Sequence, residues 1–222
     1  MLKKTYRAQR MSPNPVIDAD WSKPVWKDAQ IVTLDYYMGE KPSHHPKVQA
    51  RLAYDSDFLY GIWRVDDNYV LARSPGHQHY VCVDSCVEFF FTPGGDPDEK
   101  GYFNLETNCS GTMWFAAHIP GQPDAMFTPD EIAQVVIGTS LKGRIDPEIA
   151  QPTTWTLEFK FPISLLEKYS PIQRPAPGVA WRANLYKCAD DCSHPHWLTW
   201  SEVIWPRPSF HIAKYFGHLL FE

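Results

Sequence analysis

The distribution of proline restricts this chain more than any other feature. Twenty prolines are spread along 222 residues, and a proline inside a helix removes a hydrogen bond and clashes with the preceding turn. Between them run short segments in which apolar and polar residues alternate, the period of a strand with one buried face. Residues 47–54 place Val48, Ala50, Leu52 and Tyr54 on one side, Asp55 to Asp57 turn the chain, and residues 58–65 return as a hairpin arm. Residues 82–92 form a further strand, with Val87, Phe89 and Phe91 opposite Glu88, Phe90 and Thr92. After a Pro-Gly-Gly-Asp-Pro turn, residues 101–108 set Tyr102, Asn104, Glu106 and Asn108 against Phe103, Leu105 and Thr107. Segments 113–118, 135–138 and 154–161 read as strands too, and Pro162 opens the one clear helix, at 162–169. The expected fold is all-β: a two-sheet antiparallel β-sandwich of about ten to twelve strands with one or two short helices. A chain of 222 residues suggests one large domain or two small ones, and an all-β sandwich of this size is often a single domain.

Residues 181–217 concentrate aromatic and hydrogen-bonding side chains. The stretch opens as a strand with Trp181, Ala183 and Leu185 on one face and Arg182, Asn184 and Tyr186 on the other. A polar loop containing Asp190, Asp191, His194 and His196 follows, then Trp197 and Trp200, a proline-rich turn, and a last strand near 216–221. Placed in one sheet, Glu88, Asn104, Glu106, Arg182 and Asn184 share a polar face beside Tyr102 and Tyr186. Arg, Asn and Glu present fixed donors and acceptors, where a merely solvated face favours Lys, Ser and Thr. Flat rings beside such groups suit a flat, hydroxyl-rich ligand. The alternatives are tryptophans buried as core and a surface ion pair of Arg182 with Glu88 or Glu106.

The totals narrow the function. At 44% hydrophobic residues the chain can bury a core without staples. A net charge of −5 without a Lys/Arg-rich run argues against nucleic acid and anionic membranes as partners. No apolar run reaches the roughly 18–20 residues of a transmembrane helix. The N-terminus has the basic start of a signal peptide but no apolar core, which leaves a cytoplasmic location, a missing leader or another export route open. No phosphate-binding loop, dinucleotide fingerprint or nucleophile elbow occurs. Glu88 and Glu106 are the pair a glycosidase would need.

Metal-binding alternatives remain. Asp18 and Asp20 flank the entry to a short helical piece, as caps or as calcium ligands, and Asp66 belongs to an acidic cluster open to the same two readings. Cys188, Cys192, His194 and His196 are a conceivable zinc set, with buried thiols or one local disulfide as the competing account.

Four segments carry a family resemblance: IDADWSKPVWKDA, YDSDFLYGIWRVDD, VDSCVEFFFTPGGDPDEKGYFNLETNCSGTMW, and a C-terminal part with Trp200-Ser201, Phe210-His211 and Tyr215-Phe216-Gly217. Together they resemble carbohydrate-binding module family 9 over residues 13–222, which implies a single domain there behind an N-terminal tail, 1–12. The resemblance implies a β-sandwich that binds carbohydrate without catalysis, a sugar held between two aromatic walls, structural calcium, and a glycoside hydrolase as fused or separate partner. It implies a periplasmic or extracellular location in a bacterium. Glu88 falls on the family's acidic strand position, Trp197 or Trp200 on the C-terminal wall. The other wall falls just before Asp84, where the nearest aromatic residue is Tyr80, with His77 and His79 close by. A protein-interaction sandwich docking through the aromatic patch is the third reading.

Overall fold

The computed structural model describes residues 3–11 and 15–222. Sixteen strands follow one another: β1 (Thr5–Arg10), β2 (Val32–Thr33), β3 (Tyr36–Tyr37), β4 (Lys47–Tyr54), β5 (Phe58–Asp67), β6 (Val70–Ala72), β7 (Cys86–Thr92) and β8 (Tyr102–Asn108) come first. β9 (Met113–His118), β10 (Ala125–Met126), β11 (Val136–Thr139), β12 (Ile145–Ile149), β13 (Thr153–Pro162), β14 (Ala180–Cys188), β15 (Trp197–Thr199) and β16 (Gly217–Phe221) complete the series. The first sheet runs β10-β9-β8-β7-β14-β16-β1, and the second β1-β4-β5-β13-β11. β15 continues the edge of β14 beyond β16, and β6 and β12 form a separate ribbon.

The all-β expectation holds, with two departures: the described residues form sixteen strands where about ten to twelve were expected, and the sandwich is mixed. β1 pairs in parallel with β16 through residues 5–8, then in parallel with β4 through Gln9 and Arg10, and so belongs to both sheets. Residues 5–10, expected in a tail, are therefore a seam of the sandwich. Tyr6 and Ala8 alternate inward and are buried, which is what draws the segment in. The expected domain boundary at 12/13 lies outside the described residues. Helix is confined to short pieces. The expected helix at 162–169 is a 3-10 run, Ile163–Lys168, and single α-turns occur at Pro97–Lys100 and Pro129–Ile132.

The inner faces meet in an aromatic core. Phe91 stacks on Trp181 at 5.6 Å and on Phe161 at 5.8 Å, so β7, β14 and β13 contact across the two sheets. Packing is tight enough that a Cβ on Gly61 would lie 2.4 Å from the Phe159 ring. The segment ahead of β2 is held by the buried Glu158 carboxylate, which accepts from the Asp18 and Ala19 amides, the Trp26 indole and the Lys23 ammonium.

A second apolar cluster lies on the outer face of the first sheet. Phe90, Tyr186, Cys86 and Cys188 pack there against Phe210, Phe216 and Val203 from the segment joining β15 to β16. Tyr186 stacks on Phe210 at 4.1 Å. That segment covers part of the outer face and leaves the rest open.

Candidate functional site

Register places the site residues in rows. Trp114, Glu106, Glu88 and Tyr186 lie opposite one another across β9, β8, β7 and β14. The next row is Ala116, Asn104, Phe90 and Asn184, and beyond it stand His118 and Tyr102. Ala116, small and buried, stands between Trp114 and His118 on the same strand. A cleft of about 340 Å³ on this face is lined by Glu88, Asn104, Glu106, Trp114, His118 and Trp197, with Tyr80, Asp190 and the loop residues Phe210 and His211 at its rim.

The structure brings together Tyr80, Glu88, Asn104, Glu106 and Trp197 of the expected site. Trp197 is held by a hydrogen bond from its indole N–H to Asp190 Oδ1 at 2.8 Å. Tyr80 is 73% exposed, so its ring is free to meet a ligand. It lies parallel to Trp114 with 5.6 Å between centroids. A sugar ring between two faces needs about 7–8 Å, two van der Waals contacts of about 3.5–4.0 Å each. Tyr80 and Trp114 therefore make one wall rather than a clamp.

Trp114 and His118 were missed from the sequence. Strand parity held the signal: in residues 113–118 Phe115 points inward, which turns Trp114, Ala116 and His118 to the face of Glu106 and Asn104. His118 joins a chain of polar contacts. Its Nδ1 meets Asp124 Oδ1 at 2.8 Å and its Nε2 meets Asn104 Oδ1 at 2.9 Å, while Asn104 Nδ2 donates to Glu106 Oε1 at 2.7 Å. Tyr102 stacks on His118 at 4.7 Å and its hydroxyl meets His211 Nδ1 at 2.9 Å. Burial keeps His211 neutral, its pKa lowered to about 4.

The two glutamates are buried side by side. Burial and the adjacent Glu106 push Glu88 well above the usual carboxylate range. Burial pushes Glu106 up to about 7, with the Asn104 hydrogen bond working against it and the Asp190 charge adding to it. At neutral pH the pair holds a proton, and the floor of the cleft offers both a donor and acceptors.

Four expected residues lie outside the cleft. Arg182 donates through Nε to the carbonyls of Phe216 (3.1 Å) and Gly217 (3.0 Å). Asn184 is fully buried, and its amide donates to the Ser201 carbonyl at 3.0 Å and accepts from the Ser201 amide at 2.8 Å. These two side chains fasten the two ends of the loop that walls the cleft. Their face was read correctly, but the loop lies over it. Trp200 is buried in the inter-sheet core, its ring 2.9 Å from where a Cβ on Gly217 would stand. His196 faces inward with Lys187, whose ammonium is 2.8 Å from its Nε2.

The metal expectations meet other partners. Asp18 faces the Lys23 ammonium at 2.8 Å, Asp20 accepts from the Ser22 amide and hydroxyl, and Asp66 accepts from Thr154 and Arg64. No carboxylate cluster forms around them among the described residues. The conceivable zinc set is dispersed too: Cys192 lies against Ser85 and Cys188 against Glu88, and all five thiols are free.

Comparison with known proteins agrees with this fold. The chain superposes on a candidate carbohydrate-binding protein from Bacteroides uniformis with a TM-score of 0.88 and 26% identity, covering 99% of this chain and 100% of that one. It also matches a carbohydrate-binding module family 9 domain from Caldicellulosiruptor kristjanssonii in complex with cellotriose, with a TM-score of 0.66 and 14% identity over 99% and 94% of the two chains. The glucose complex of a family 9 module from the same organism gives 0.63 and 14% over 97% and 95%. No curated protein matches. The sequence profile described as carbohydrate-binding family 9 matches residues 25–221, nearly the whole described chain, and the chain belongs to that family.

Proposed function

We propose that the cleft on the outer face of the first sheet binds a saccharide without cleaving it, in support of glycan degradation. One observation carries this reading: three aromatic rings, Tyr80, Trp114 and Trp197, border a floor of Glu88, Glu106 and Asn104. A pyranose has apolar C–H faces and a rim of hydroxyls, and this arrangement offers an apolar wall for the first and paired donors and acceptors for the second. Family membership and the cellotriose and glucose complexes of Caldicellulosiruptor family 9 modules support it. In this reading the protein works outside the cytoplasm of a bacterium, beside a glycoside hydrolase supplied by a partner or a fused domain.

The test is a glycan-binding screen of the folded protein, begun with glucose and cello-oligosaccharides and run with and without added calcium. Binding in the millimolar to micromolar range, roughly −4 to −8 kcal/mol, lost in Trp114→Ala and Trp197→Ala, is the expected result. A folded protein that binds no saccharide overturns it. Turnover of a bound glycan that disappears in Glu88→Gln would make the protein a hydrolase instead.

A further inference from the structure

We propose that Cys86, Cys188 and Glu88 form a binding site for one zinc-class divalent cation under the floor of the cleft. Cys86 and Cys188 are direct cross-strand partners in the β7–β14 ladder, and Glu88 follows two residues after Cys86 on the same face. One thiol sulfur from each cysteine and one Glu88 oxygen all lie within 4.8 Å of one another. Cys188 Sγ is already 3.0 Å from Glu88 Oε1. Tetrahedral zinc, with bonds of about 2.3 Å to sulfur and 2.0–2.2 Å to oxygen, sets its donors about 3.5–3.8 Å apart. Small side-chain rotations close that difference, because the strand pairing already fixes the three Cα atoms.

The donor chemistry selects the ion. Two thiolates favour zinc and its softer neighbours over calcium or magnesium, which prefer all-oxygen shells. The surroundings fit as well. All three residues are buried, and Glu88 has no ion-pair partner among the described residues. Binding releases the two thiol protons to solvent and leaves Glu88 ionised, with the proton of the carboxyl pair on Glu106, and a divalent cation neutralises most of the charge that remains. Glu88 and Cys188 also line the cleft, together with Cys82, whose carbonyl accepts from Cys188 Sγ at 3.5 Å. Three protein donors with a fourth position towards an open cleft leave that position for Cys82, a water or a ligand oxygen. The site is independent of whether the cleft takes a sugar.

The experiment titrates the full chain, kept reduced by a phosphine, with cobalt(II) and then zinc(II). One cobalt per chain with thiolate-to-metal charge-transfer absorption, displaced by zinc, is expected. Cys86→Ser and Cys188→Ser should abolish the absorption, Glu88→Gln should retain it at weaker affinity, and Cys192→Ser should leave it intact. Zinc-edge X-ray absorption on the loaded wild-type protein reads the donors without any variant, and two sulfurs are expected. Absence of the charge-transfer band in reduced, folded protein overturns the proposal. So does a band that survives both serine variants, or a zinc shell without sulfur.

Discussion

The indole N–H of Trp197 donates to Asp190 Oδ1 over 2.8 Å. The Asp190 amide in turn donates to the Cys82 carbonyl at 3.0 Å. The aromatic edge of the cleft is thus tied to the turn that leads into β7. A pre-set ring loses little conformational entropy when a ligand arrives. Asp190→Ala is expected to weaken saccharide binding through loss of that orientation, while Trp197→Phe keeps the platform and loses only the tether. Calorimetric titration of both variants with the same sugar checks the order.

The tryptophans divide by role. Trp197→Ala and Trp114→Ala should reduce affinity at least tenfold, about 1.4 kcal/mol, with little change in melting temperature. Trp200→Ala should do the reverse, because its ring fills the inter-sheet core. Loss of a buried Trp costs about 3–5 kcal/mol of stability. Urea denaturation beside binding isotherms separates the two classes.

Glu106 gives the fold an unusual pH response. Its folded pKa, raised to about 7 by burial, exceeds the ordinary carboxylate value of 4.5. The native state therefore holds a proton that the unfolded chain releases, and stability falls as pH rises from about 4.5 to 7. His196 acts oppositely: burial and Lys187 lower it to about 3, so protonation of the unfolded chain costs stability below its ordinary 6.5. The difference between wild type and Glu106→Gln isolates the carboxyl. The variant should gain relative stability steadily across that interval, read from melting temperatures in a buffer series.

Acid resistance rests on another group. Burial raises the Asp67 pKa, but the Lys187 charge and the His44 hydrogen bond outweigh it and hold the carboxyl at about 2. That stabilisation, about 2 kcal/mol, is complete above the ordinary value of 3.8 and is lost as pH falls towards 2. Asp67→Asn should remove this part of the acid transition and leave Lys187 buried without its counter-charge, 3.6 Å away in the native protein. Breaking a buried pair costs about 3–5 kcal/mol, so the variant should also unfold at lower denaturant concentration at pH 7.

Asn184→Ala releases the start of the loop between β15 and β16. The Ser201 amide and carbonyl would both lose their side-chain partner in a buried setting, at about 1–3 kcal/mol. Limited proteolysis should then cut within 201–216 faster than in wild type, and saccharide affinity should drop because Phe210 and His211 lose their position.

The alternation of β7, β8, β13 and β14 was legible because each has one face in the core, and a period of two then assigns every side chain. The same parity identifies Trp114, and it turns Lys187 inward beside Leu185 and Trp181, where a lysine needs a partner that only the folded chain supplies. What parity does not contain is the cover. Whether Arg182 and Asn184 face solvent, a ligand or a loop depends on where residues 201–216 return, and that path is set by contacts among Phe210, Tyr186 and Phe216 distant in sequence. The seam strand was obscured by its brevity and by its charged residues Arg7 and Arg10. Only Tyr6 and Ala8 carry its apolar face.

The seam also bears on how the protein is made. Arg7 in β1 pairs with Glu222, 215 positions away, and the β1–β16 pairing cannot form until β16 has left the ribosome. Chains whose contacts span the whole sequence fold slowly and carry unsatisfied strand edges while they wait. During synthesis the edge of β1 that β16 later occupies stays unpaired, and protection of this edge until the C-terminal strand arrives would set the yield of native protein.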